Sequence, residues 1–132
     1  MREIRVPVSP GELLDKTTIL RIKSRRMTDP AQLKNVQLEL EALEATWAEC
    51  AAHAGADIDM DVAALLRVNE RLWGIEDAIR EKERAQAFDA EFIRLARAVY
   101  IENDERAAIK RRINVKLRSD IIEEKSYRPY KK

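Results

Sequence analysis

The chain has 132 residues, with 25 Lys and Arg against 24 Asp and Glu, for a net charge of +1. Hydrophobic residues at 45% exclude a disordered tail, while 37% charged residues, 5% aromatics and only 3 Gly and 4 Pro describe a helical protein. One cysteine (Cys50) excludes an internal disulfide, one histidine (His53) excludes His-rich zinc sites, and no apolar run approaches the ~18 residues of a membrane span.

Residues 1–8 alternate, with Ile4, Val6 and Val8 on one side and Arg5 and Pro7 on the other. Pro7 has no N–H to donate, so the segment reads as an edge strand or an extended arm. Nor does it hold the apolar stretch of a signal peptide, so a cytoplasmic protein is expected. Ser9-Pro10-Gly11-Glu12 then opens a helix over about residues 10–28: Ser caps, Pro takes the first position, and Glu three residues past the cap completes a capping box. Leu13, Thr17, Leu20, Ser24 and Met27 form one stripe, with Ile19 and Ile22 on other faces, so this helix is expected to pack on more than one side.

Asp29-Pro30-Ala31-Gln32 repeats the grammar and opens a second helix over about residues 30–54. Its core stripe is Leu33, Val36, Leu40, Leu43, Trp47, Cys50 and Ala54, and Gly55 ends it. Asp57 or Asp59 can cap a third helix, about residues 59–84, which carries Val62, Leu65, Leu66, Leu72, Trp73 and Ile79. After a break near Gln86-Ala87-Phe88, Asp89 starts a fourth, about residues 89–118, through Phe92, Leu95, Val99, Ile113 and Leu117. Residues 119–132 lose the periodicity and read as an arm, with a short strand at about residues 120–123 as one option. The expected architecture is a single all-α domain over residues 1–132: an antiparallel four-helix bundle with short extended N- and C-terminal arms.

Polar residues interrupt the apolar faces of the third and fourth helices. Asn69, Glu76 and Arg80 fall within about 40° of the centre of the face set by Val62 and Trp73. Asn103, Lys110 and Asn114 fall on the centre of the face set by Phe92 and Val99, with Arg106 at its edge. Burying such groups unpartnered costs several kcal/mol each, so they must meet one another, water or a ligand. A hairpin turning near Gln86 sets Asn69 level with Asn103 or Asp104, and makes Arg80, one turn along, the partner of Glu76. Lys16 and Lys23 lie beside Leu20 on the first helix. Interior bases then outnumber the interior acid Glu76, which Asp77 and Asp104 flank.

The expected ligand-binding set is Lys16, Lys23, Asn69, Glu76, Asp77, Arg80, Asn103, Arg106 and Lys110, lining a net-positive pocket for a small anionic metabolite. In an enzyme, Glu76 would be the acid or base. The competing reading is a structural or adaptor homodimer, in which core Asn fixes register and Lys and Arg stems pack at core edges. Mid-helix Gly74 is expected to admit a close neighbour, and Trp47 and Trp73 are expected to be core anchors.

Other chemistries fail on their own requirements, so no metal and no cofactor are expected. Cys50 and His53 lack the further ligands of a zinc site, and read as a small buried thiol and a helix-end imidazole. Asp57-Ile-Asp-Met-Asp61 has neither the Gly nor the closing Glu of a calcium loop. Glu41-x-x-Glu44 is similar to the magnesium carboxylates of helical nucleotide pyrophosphohydrolases, but no downstream Glu-x-x-Asp accompanies it. Arg106 to Arg118 holds six bases and no acid, yet they point in different directions with no aromatic ladder, so nucleic acid is not expected.

At RVPVSPGELLDKTTILRIK (5–23), NERLWGIEDAIREKERAQAFDAEFIRLARAVYIENDERAAIKRRIN (69–114) and SDIIEEKSY (119–127), the chain resembles a family of small bacterial proteins classed as a domain of unknown function. That resemblance implies a bacterial origin and no particular activity. A looser similarity links Glu12-Leu-Leu-Asp15-Lys16 through Arg26 to the first helix of the all-helical chorismate mutases, which implies an isomerase as an alternative.

Overall fold

The computed structural model describes residues 1–51 and 56–131; Gly55, Ala54 and His53, to which helix-ending and helix-end roles fell, lie outside them. The fold is all-α, with four helices packing together: α1 (Pro10–Arg26), α2 (Pro30–Ala51), α3 (Asp59–Arg84) and α4 (Ala90–Lys116). Among the described residues there is no strand. Residues 1–8 and 119–131 are extended arms, and neither alternating segment finds a sheet to join.

Local chemistry sets the helix ends. Ser9 Oγ accepts from the Glu12 N–H at 3.1 Å, Asp29 Oδ2 from the Gln32 N–H at 2.9 Å, and Asp89 Oδ1 from the Phe92 N–H at 3.0 Å. The expected capping box at α1 is only half formed, because the Glu12 side chain turns away to pair with Lys110 on α4. Nor do Asp57 and Asp59 cap α3 as expected. Ile58 holds the cap position without a side-chain bond, while Asp57 accepts from the Asp59 N–H at 3.1 Å. Helix α4 stops at Lys116, two residues early, where Arg118 takes a left-handed φ of 53° and the Ser119 N–H reaches the Asn114 carbonyl at 2.9 Å.

Helix α1 is the middle layer. Helix α2 stacks on one side of it and the antiparallel α3–α4 hairpin on the other, and among the described residues α1 is the main neighbour of α2. Two apolar clusters result. Leu20 of α1 meets Val36 and Leu40 of α2, with Met27 and Leu43 at the rim. On the opposite face Leu14 joins Leu65, Val68, Ile109, Ile113 and Ile58, and Trp47 reaches over from α2 to pack against them. Each fully buried aliphatic there contributes about 1.5–3 kcal/mol of transfer free energy. Leu20 marks α1's expected stripe. The stripe that sequence spacing missed is Gly11, Asp15, Thr18 and Ile22, all buried, with Gly11, Asp15 and Thr18 bonded to the hairpin.

Length mismatch decides the rest. At about 1.5 Å per residue, the 17 residues of α1 cannot span the 26 and 27 of α3 and α4. The hairpin therefore overhangs, and only Leu95 is buried in its outer half. Gly74 lies at this overhang, where a Cβ would meet nothing within 4 Å, so the close neighbour expected there is absent. The close approach occurs at Gly11 instead. A Cβ on Gly11 would stand 2.6 Å from the Lys110 carbonyl oxygen and 2.9 Å from Asn114 Oδ1. Cys50, expected on the buried stripe of α2, is exposed, because that end of the helix has passed beyond α1.

Candidate functional site

The hairpin register follows from paired charges. Arg71 Nε donates to Glu102 Oε2 at 2.9 Å, and Arg112 Nε to Asp61 Oδ1 at 3.0 Å. Asn69 therefore lies level with Asn103 and Asp104, as expected. Just outside the main cluster, where α1 leaves the hairpin, a hollow of about 410 Å³ opens between the three helices. Ile19, Leu72 and Trp73 supply its apolar wall, and Asn69, Glu76, Asp77, Arg80, Asn103 and Arg106 its polar one. Six of the nine expected ligand-binding residues thus line one cavity, drawn together because the polar interruptions of α3 and α4 fall at one level of the hairpin.

The other three lie elsewhere. Lys16 is exposed and sits 3.8 Å from Glu12, one turn back on α1. Lys23 is half-buried and does not line the hollow. Lys110 belongs to a separate structural network, within 3.8 Å of Asp15 and 3.4 Å of Glu123, and hydrogen-bonded to Glu12. Three carboxylates around one ammonium leave no positive excess there. The lining of the hollow itself holds two guanidiniums (Arg80, Arg106) and two carboxylates (Glu76, Asp77), so its formal charges balance. The expected positive surplus is consumed by acids whose inward direction the wheel did not reveal.

Electrostatics follow from these contacts. Burial pushes the Glu12 carboxyl up, but Lys110, with Lys16 and Arg106 behind it, outweighs that and holds it below its ordinary range. Burial pulls the Lys110 ammonium down, but the hydrogen bond to Glu12 and the charges of Asp15, Glu12 and Glu123 leave it raised. Asp61, whose hydrogen bonds from Lys116 at 2.6 Å and Arg112 overcome burial, is likewise lowered.

Two core asparagines prove structural in part. Asn114 Oδ1 accepts from the Gly11 N–H at 2.7 Å, satisfying a donor left orphaned in the first turn of α1. Asn69 Nδ2 donates to Asp15 Oδ1 at 2.9 Å and to Thr18 Oγ1 at 3.0 Å, which locks the amide at the back of the hollow. Among the described residues no buried side-chain polar atom lacks a partner. Residues that sequence reasoning missed include Asp15 and Asp61; the spacing of Asp15 with Gly11 and Thr18 was the available signal.

Glu76 and Arg80 pair at 3.3 Å, as the i, i+4 spacing predicts. Arg106 is different: it is half-buried and makes no ion pair among the described residues. Its side chain borders the hollow with Trp73 and Asn103. No group of three or more His, Cys, Asp or Glu stands in position for a metal among the described residues, and no helix among them is long and apolar enough to cross a membrane. Searches of curated proteins and of solved structures return no match. The model of a family of unknown function (DUF6165) matches residues 4–130, and the chain belongs to that family.

Proposed function

We propose that the protein binds a small anionic metabolite in the hollow between α1, α3 and α4. The observation that carries this reading is Arg106, a half-buried cation without a carboxylate partner among the described residues, beside an aromatic wall and a free-standing Asn103 amide. Because Glu76 and Asp77 also line the hollow, the best guest has a carboxylate for Arg106 and hydroxyl or amine donors for the acids. In an enzymatic version Glu76 is the group placed to exchange a proton with it. A mutase-like isomerase has less support, since α1 contributes only Ile19 to the lining.

The test is a thermal-shift screen of carboxylates and sugar acids, followed by calorimetry on the hits. Arg106→Ala and Arg80→Ala are each expected to weaken a genuine ligand about tenfold or more. A ligand held equally by both variants and by the unaltered protein overturns the assignment.

A structural or adaptor homodimer is the second reading. It is supported by apolar side chains at the hairpin tip, where Phe88 is 54% exposed and Ile93 57%. A sedimentation run giving only the monomer at micromolar concentration removes it.

A further inference from the structure

The C-terminal arm runs back along α4, antiparallel to it. Arg111 reaches Glu124 at 3.1 Å, Lys125 pairs with Asp104, and the Tyr130 ring stacks at 5.2 Å on Tyr100, with the rings inclined at 58°. Helix and arm border a second, open-sided hollow of about 930 Å³, whose wall includes Arg106 and Asn103 but neither Glu76 nor Arg80.

Lys110 on its wall is already saturated by Glu12, Asp15 and Glu123, so what sets this hollow apart is which of its cations stay unpaired. The lining carries five bases and three acids, and the acids are all engaged: Glu123 with Lys110, Glu124 with Arg111, Asp104 with Lys125. Two guanidiniums are left without an ion pair among the described residues, Arg106 on the rigid helix and Arg128 on the arm. A phosphomonoester carries about −1.5 to −2 charge at neutral pH and three strong acceptor oxygens, a match for two guanidinium forks. Tyr127, between the ion-paired stretch and Tyr130, is 82% exposed, with Lys125 Nζ over one face of its ring at 5.8 Å from the centroid, so the opposite face is the one available for stacking. Tyrosine faces take planar rings by offset stacking.

We propose that this hollow is a binding site for a phosphomonoester borne on a planar aromatic ring, of the nucleoside monophosphate or aryl phosphate class. Arg106 and Arg128 hold the phosphate, and Tyr127 takes the ring. The two hollows share Arg106 and Asn103, and Arg128 and Tyr127 on this side against Arg80 on the other tell the two readings apart.

Calorimetric titration of the full chain with adenosine 5′-monophosphate, phenyl phosphate and inorganic phosphate tests it. The two ring-bearing phosphates are expected to bind about tenfold tighter than inorganic phosphate. Arg128→Ala is expected to weaken all three about tenfold, Tyr127→Ala to bring the ring-bearing pair down to the inorganic level, and Arg80→Ala to leave all three unchanged. Arg128 and Tyr127 are exposed arm residues, so these variants leave the core intact. Absence of binding, equal affinity for inorganic phosphate, or indifference to Arg128→Ala overturns the proposal. Loss of binding in Arg80→Ala moves the ligand to the other hollow and overturns it equally.

Discussion

The inner and outer halves of the α3–α4 hairpin share one sequence style and differ in what covers them. The inner half, around Leu65, Val68, Ile109 and Ile113, is roofed by α1, and these four side chains are at most 1% exposed. The outer half, from Gly74 to Tyr100, has no third helix over it among the described residues, and its Phe88 and Ile93 face water. Similar apolar content thus gives a dense core in one half and a thin seam in the other. A helix hairpin becomes a core only when a third element closes it. The polar hollow lies at the boundary, where α1 ends its cover and buried groups first gain access to solvent.

Substitutions can break or sharpen this contrast. The largest expected effect is at Leu65→Ala, about 2–5 kcal/mol of lost stability by denaturant unfolding, against under about 1 kcal/mol for Ile93→Ala. Equal losses at the two positions would erase the distinction between the halves. Gly11→Ala comes next, with about 1–3 kcal/mol lost, because the new methyl meets the backbone oxygen of Lys110 rather than a side chain that can turn aside.

Lys110→Met tests the charge network that fastens α1 and the C-terminal arm to the inner half. It is expected to cost about 1–3 kcal/mol near neutrality, since Glu12 and Asp15 then lose their shared cation. The pH dependence has a defined sign. Glu12 and Asp61 are lowered from ordinary values of 4.5 and 3.8, so their contribution is complete above those values and is lost as pH falls through the lower folded values. Lys110 is raised from 10.5, so its contribution is complete below that value and is lost as pH rises through the higher folded one. Urea midpoints measured across pH should be flat between these limits, fall on both sides, and lose the alkaline fall in Lys110→Met. The smallest effect runs the other way. Gly74→Ala, on the uncovered half, should raise stability by about 0.5–1 kcal/mol, the opposite sign from Gly11→Ala.

Local signals in the sequence were sufficient for the helices and most of their caps, because Ser9, Asp29 and Asp89 act on backbone donors three residues away. Six of the lining residues were legible for a related reason: a polar group at the centre of an apolar face is visible on a wheel. Charge balance was not legible. Whether Lys110 stands free or amid Glu12, Asp15 and Glu123 depends on contacts up to 98 residues apart, and no periodicity encodes them. Gly74 and Gly11 make the same point, since a glycine's neighbour is set by where another helix happens to stop. The loss of periodicity after Leu117 marks the arm, but the short strand it offers at 120–123 does not form, and its ion pairs to α4 involve residues 13 and 21 positions away.

The seat of α1 also sets a schedule. Its first turn is completed by Asn114, 103 residues further on, while α2 rests chiefly on α1. During synthesis α1 and α2 can close on each other at once, but the face of α1 that carries Gly11, Asp15 and Thr18 gains its partners only when α3 and α4 have emerged. Two hairpins of neighbouring segments then dock through one shared face, the only long-range step in the fold's assembly among the described residues.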